Sequence, residues 1–107
     1  MRYRWILLAI VAFPTIGACS DNAGASSEVA VGIADFKFSP PDVNVPVGGK
    51  VVWKNNDSQP HTATSAGIFD AGAIEPGGTA TVVFRTAGTF TYMCSFHPFM
   101  TGTIAVG

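Results

Sequence analysis

The 107-residue sequence contains little cysteine, little histidine and little charge, and each shortage narrows what the protein can do. It has two cysteines and two histidines, and charged residues make up only 12% of the chain. A weakly acidic chain of this kind gives no reason to expect nucleic acid or an anionic membrane surface as a partner. After residue 19 no segment sustains a helical repeat of apolar residues, so we expect an all-β domain.

The N-terminus lacks an apolar run long enough for a comfortable membrane span. Arg2 and Arg4 precede a run that extends only from Trp5 to Phe13. Positive charge followed by a short apolar run is typical of a signal peptide, and we therefore expect an exported protein in the periplasm or at the cell surface.

The end of the leader, "IGAC", resembles a lipobox, in which Cys19 is lipidated and becomes the new first residue. We predict a lipoprotein signal peptide at 1–18, the lipidated cysteine and a flexible tether at 19–28, and one domain at 29–107. The alternative is cleavage after Ala25, in "AGA", which would leave a soluble periplasmic protein.

The predicted mature chain has no disulfide partner for Cys94 inside its domain. It carries four basic and seven acidic side chains, a net charge of −3. A leftover cysteine in an exported protein is reactive, forms an intermolecular bond or is bound to something else. Because small domains bury only a modest fraction of their surface, they often need an additional cross-link for stability. A disulfide cannot provide it here.

Short segments of alternating apolar residues lie between glycine- and proline-rich turns. Val51 and Trp53 share one face of a predicted strand, and Tyr92 and Cys94 share one face of another. Pro46 places a further strand at a sheet edge. The predicted strands are 28–34, 43–47, 50–55, 61–65, 79–84 and 90–94. This spacing favours a β-sandwich.

The motif "CSFHPFM" carries the chemistry, because Cys94, His97 and Met100 recur at intervals of three. Thiolate and thioether are soft ligands and imidazole is borderline, so the set suits copper better than magnesium or calcium. Zinc fits less well, because thioether is not among its usual ligands. Electron-transfer copper sites combine two histidines, one cysteine and a long axial methionine. The second histidine is then His61, the only other one in the chain.

The stretches "VVWKNNDSQPH" and "GTFTYMCSFHPFMTGTIAV" resemble the small blue copper proteins, the cupredoxins of plastocyanin and amicyanin type. The short ligand loop is more similar to that of amicyanin. The resemblance implies a Greek-key sandwich of about eight strands and one copper ion that carries single electrons as Cu(I)/Cu(II), without substrate chemistry. It implies four ligands: His61, Cys94, His97 and Met100.

The resemblance also gives expectations about partners, and the chain departs from the family's usual sequence at one position. We expect a monomer that forms transient complexes with redox proteins such as a dehydrogenase, a cytochrome or an oxidase. Electrons would leave through His97, within an apolar rim of Phe96, Pro98 and Phe99. The family usually has asparagine after the first histidine ligand, where this chain has Thr62. A threonine hydroxyl can reach Ser95 or its backbone, but with a shorter side chain.

Other functions fit the residues less well. A Cys–His hydrolase needs an orienting third residue and an oxyanion hole, and no such set is recognisable. The sequence "CSFH" lacks the C-x-x-C-H pattern of c-type haem attachment. A metal-free sandwich would leave a free thiol in an oxidising compartment. A copper carrier or buffer with the same ligands stays open as the alternative. The carboxylates Asp57, Asp70 and Glu75 are interpreted as solvated loop residues.

Overall fold

The computed structural model describes residues 27–107, so the predicted signal peptide, Cys19 and most of the predicted tether lie outside the described residues. The described part consists of strands and turns, and none of its segments forms a helix that could span a membrane. Its nine strands are β1 (Glu28–Ala34), β2 (Lys37–Ser39), β3 (Asp42–Val45), β4 (Lys50–Asn55), β5 (Thr64–Ser65), β6 (Phe69–Asp70), β7 (Thr79–Val83), β8 (Gly88–Met93) and β9 (Thr101–Val106).

The strands form two sheets with crossing connections between them. The first sheet has the order β2-β1-β4-β7 and the second β3-β9-β8-β5-β6. Each sheet contains one parallel pair, β1 with β4 and β3 with β9, among antiparallel neighbours. The expected all-β Greek-key sandwich is therefore confirmed, with nine segments in place of about eight because β5 and β6 are separate two-residue strands.

Alternation along the strands builds the core between the sheets. Val51 and Trp53 of β4 are fully buried, as their period of two predicts. Tyr92 of β8 lies in the opposite sheet, and its hydroxyl oxygen accepts a hydrogen bond from Trp53 Nε1 at 3.2 Å. A side chain at Gly102 would come within 2.6 Å of the Tyr92 ring, so only glycine fits beside it. The hydrogen bond between Trp53 and Tyr92 joins the two sheets.

Three connections meet at one pole of the sandwich. They are the β1–β2 turn, the segment between β4 and β5, and the loop between β8 and β9. The predicted strand from His61 is wrong at its start, because only Thr64–Ser65 forms a strand. His61 instead makes an isolated bridge with Ile74, in which each backbone N–H donates to the other's carbonyl. The opposite pole carries Ser27, whose carbonyl accepts a bond from Lys50 N.

Candidate metal centre

The cysteine and both histidines converge at this pole. The Sγ atom of Cys94 lies 3.7 Å from Nδ1 of His61 and 3.7 Å from Nδ1 of His97. All three donor atoms lie within 4.8 Å of one another. His61 and Cys94 are fully buried and His97 is half-buried. The three residues are therefore close enough to share one small ion.

The backbone forms two successive turns, from Cys94 to His97 and from His97 to Met100. His97 N donates to the Cys94 carbonyl at 3.1 Å, and Met100 N donates to the His97 carbonyl at 2.9 Å. Cys94 N donates back to the Met100 carbonyl at 3.1 Å and closes the loop. Met100 is 2% exposed. The loop thus brings Met100 back beside the strand end that carries Cys94, in a buried position.

Asp57 orients His61. Its Oδ2 lies 2.9 Å from His61 Nε2, and a proton on Nε2 donated to this carboxylate leaves the Nδ1 lone pair facing Cys94. Burial by itself raises the pKa of Asp57, but bonds from the Phe36 and Asp35 N–H groups and from His61 outweigh it and hold that pKa below its ordinary value. The interpretation of Asp57 as a solvated loop carboxylate is wrong, since its side chain is only 13% exposed.

Thr62 connects the His61 segment to the ligand loop. Its backbone N–H donates to Cys94 Sγ at 3.3 Å. Its Oγ1 accepts a bond from Ser95 N at 2.7 Å and lies 2.9 Å from the Ser95 hydroxyl. The expected reach of threonine to Ser95 is therefore observed, to both the backbone and the side chain.

Aromatic rings surround the cluster on its outer side. Phe96 and Phe99 are 52% and 71% exposed, and Pro98 between them is also exposed. Phe36, from the β1–β2 turn, packs edge-on against His61 and His97, with ring centroids 5.2 and 4.8 Å away. Sequence reasoning missed Phe36, which reaches the cluster only through the fold, and it missed the role of Asp57, which is close to His61 in sequence. The sequence signal for Phe36 is an apolar residue in a turn, and the signal for Asp57 is a carboxylate four residues before a histidine.

The donor set fits copper. It offers one sulfur and two imidazole nitrogens at close quarters, with a second sulfur-bearing residue buried at the end of the same loop. Soft sulfur donors with imidazole select copper over hard cations. His61 Nε2 is hydrogen-bonded to the Asp57 carboxylate, and the Cys94 sulfur accepts the Thr62 N–H. Neighbouring groups therefore hold both His61 and Cys94 in position.

Comparison with known proteins agrees with this fold. The family model described as a cupredoxin-like domain matches residues 6–106. The chain belongs to the cupredoxin family.

Within this class the similar proteins are chiefly amicyanins. The chain is 31% identical to amicyanin of Paracoccus denitrificans over 115 aligned residues, covering 91% of this chain and 88% of that protein. The crystal structure of amicyanin from Paracoccus versutus is 32% identical with a TM-score of 0.69, covering 80% of this chain and 86% of that chain. A purple cupredoxin from Nitrosopumilus maritimus is 28% identical with a TM-score of 0.67, covering 74% and 99%. Family membership and the donor set together confirm copper as the cofactor predicted from the sequence.

Proposed function

We propose that this protein is a one-electron carrier and that His61, Cys94, His97 and Met100 hold its copper ion. The observation that carries the proposal is the convergence of Cys94 Sγ with both histidine Nδ1 atoms, at 3.7 Å each, in a loop that buries Met100. Bound copper supplies the Cu(I)/Cu(II) couple. No group is arranged for substrate chemistry around this cluster in the described residues, so we expect a carrier and not an enzyme.

The protein's part is to keep the ligands in one arrangement through both oxidation states. Asp57 fixes the tautomer and orientation of His61, and Thr62 N–H donates to the Cys94 sulfur. The three backbone bonds of the 94–100 loop restrain His97 and Met100. Ligands held in this way move little when an electron arrives, which favours rapid transfer.

Electrons leave through His97, the one half-buried donor of the cluster. Phe96, Pro98 and Phe99 form an exposed apolar rim beside it. Weak redox encounters bury little surface, and a small apolar rim suits contact that must also separate quickly. The expected partners are redox proteins, namely a dehydrogenase, a cytochrome or an oxidase, and the carrier acts as a monomer.

The protein is exported and held at a membrane by lipid on Cys19, with the domain at 29–107. The leader supports this proposal, as does the position of Ser27 at the pole opposite the copper ligands. Strand β1 spans roughly 20 Å between these poles, so an anchored domain would present the His97 rim away from its tether. Lipid labelling of wild type and Cys19→Ala tests this, and equal labelling would contradict it.

The experiment that tests the function is electron self-exchange between Cu(I) and Cu(II) forms, measured by nuclear magnetic resonance (NMR) line broadening. A carrier of electrons exchanges rapidly while its copper stays bound in the presence of a competing chelator. A copper carrier or buffer with the same ligands would give up the metal to the chelator and show slow exchange.

A further inference from the structure

Three rings form a nearly equilateral triangle at the centre of the site. The centroid distances are 4.8 Å from Phe36 to His97, 5.2 Å from Phe36 to His61 and 5.1 Å from His61 to His97. Phe36 stands almost perpendicular to both imidazoles, at 86° and 89°. One phenyl ring thus contacts both histidines, whereas the Asp57 carboxylate accepts a side-chain bond only from His61.

The backbone conformation of Phe36 is one that non-glycine residues rarely adopt. Asp35 and Phe36 have φ values of 53° and 59°, in the left-handed region. This conformation is unfavourable for L-residues because Cβ then lies close to the following carbonyl oxygen. Asp57 holds the turn in place by accepting the Asp35 N–H at 2.7 Å and the Phe36 N–H at 2.9 Å. Strained turns that the surrounding structure maintains are typical of functional sites.

One residue of the rim, Phe99, packs against Phe36. Phe99 lies against it with centroids 6.5 Å apart and planes inclined by 24°. His97 has three ring neighbours, Phe36, His61 and Phe99, the last at 6.0 Å. Within the described residues, the hydrogen-bonding contact found for the His97 ring is the one to Cys94 Sγ. Ring packing, and not a carboxylate, restrains this imidazole.

We infer that Phe36 is a positioning residue that sets the angle between the two histidine ligands. The inference rests on the proposed function. Because both imidazoles pack against the same ring, rotation of either would displace Phe36, and Asp57 holds the backbone of the turn that carries this ring. The same carboxylate thus orients His61 directly and His97 through Phe36. A shortened side chain at this position would leave His97 free to tilt, although all four ligands would remain.

The test compares Phe36→Leu, Phe36→Tyr and wild type in the full mature chain, with Phe90→Leu as matched control. Leucine keeps the apolar character of the side chain without its ring, and tyrosine keeps the ring. Phe90 is partly buried and stacked on Phe84, away from the histidines. Three readouts are taken: the electron paramagnetic resonance and visible spectra with Cu(II), the rate of copper release to a chelator, and histidine ring NMR signals of the metal-free protein.

We expect Phe36→Leu to change the Cu(II) spectra and to raise copper release about tenfold, the lower end of what loss of an outer-shell partner produces. Its metal-free histidine signals should broaden. Phe36→Tyr should restore all three readouts, and Phe90→Leu should alter none. The inference is overturned if Phe36→Leu keeps the wild-type spectra and release rate, if tyrosine restores no more than leucine, or if Phe90→Leu has equal effects. A wild type that binds no Cu(II) would instead refute the proposed function, and unchanged ring signals in metal-free Phe36→Leu would still refute this inference separately.

Discussion

At the scale of single residues, Thr62 ties the His61 segment to the ligand loop through two of its own groups. Its N–H donates to the Cys94 sulfur while its Oγ1 accepts the Ser95 N–H. The side chain is short, but Thr62 is 5% exposed and already lies against the loop. Thr62 therefore reaches the Ser95 N–H at 2.7 Å without the longer side chain of an asparagine.

Replacing Thr62 with valine removes this acceptor and keeps the shape of the side chain. The Ser95 N–H then loses a bond of about 1 kcal/mol, and its hydrogen exchange in metal-free protein should become about fivefold faster. Thr62→Ser retains the hydroxyl and serves as control, with exchange close to wild type. Equal exchange rates of the Ser95 amide in the valine and serine variants would contradict the role assigned to the hydroxyl.

Tyr92 gives the protein an alkaline limit. Burial raises its pKa to about 12, helped by the charge of Asp42 and opposed by the bond from Trp53. The folded pKa lies above the ordinary value of 10.0, so the stability from neutral Tyr92 is fully present below pH 10 and is lost as pH rises towards 12. A difference of this size corresponds to about 3 kcal/mol.

Tyrosinate absorbance and unfolding can be followed together, because the only other tyrosine, Tyr3, belongs to the predicted signal peptide. We expect metal-free mature protein to lose stability between pH 10 and 12, and Tyr92→Phe to show a shallower loss over the same interval. Ionisation of Tyr92 with a midpoint near 10 in folded protein would contradict this account.

At the scale of elements, we expect the geometry of the site to depend on the length of the 94–100 loop. Two i to i+3 bonds and the closing bond from Cys94 N fix the positions of His97 and Met100. A glycine inserted between Phe96 and His97 would break this pattern. The thiolate-to-copper absorption should be lost or shifted, whereas the unfolding of metal-free protein should change little, because surface loops tolerate insertions.

A glycine inserted between Ala66 and Gly67, in the β5–β6 turn, is the matched control for this insertion. It should leave the absorption unchanged. Identical spectra from the two insertions would mean that the loop geometry does not set the site.

Strong alternation made the longer strands predictable. The bounds of β1 and the buried face of β4 agree with the sequence prediction, and β3 is an edge strand as Pro46 indicates. β2 and β6 have three and two residues, too few for a period to be visible. The predicted strand at 61–65 is wrong at its start, because the pairing of His61 with Ile74 is a single bridge.

The candidate ligands could be proposed from the sequence because their chemistry is rare in this chain and three of them are close in sequence. The residues that support them could not. Asp57 is only four residues from His61, but Phe36 meets the histidines and the Asp57 carboxylate only after the β1–β2 turn folds back over the segment that follows β4. No local pattern encodes that approach.

At the scale of the whole molecule, the site lies where the two sheets come together. The His61 segment connects the first sheet to the second, and Cys94 follows β8 of the second sheet. An ion shared by these segments stabilises the folded state over the unfolded one. Because residues 27–107 contain no disulfide, we expect the bound ion to be the cross-link that stabilises this small domain.

We therefore expect copper to raise the melting temperature in calorimetry. A free concentration 100 times the dissociation constant contributes about 2.7 kcal/mol, which for a domain of this size corresponds to roughly 10–20 °C. Phe96→Ala, which removes an exposed side chain of the rim, should show the same increase. A melting temperature that does not depend on copper would mean that the ion does not bridge these segments.

The most direct test of the central claim is a Cu(II) titration of the chain without residues 1–19, followed by visible absorption, beside Cys94→Ser. We predict an intense thiolate-to-copper band that saturates at one equivalent in the wild type and is absent from the serine variant. A colourless wild-type protein, or a band that persists without the thiol, would contradict the copper site at Cys94 and with it the proposed electron carrier.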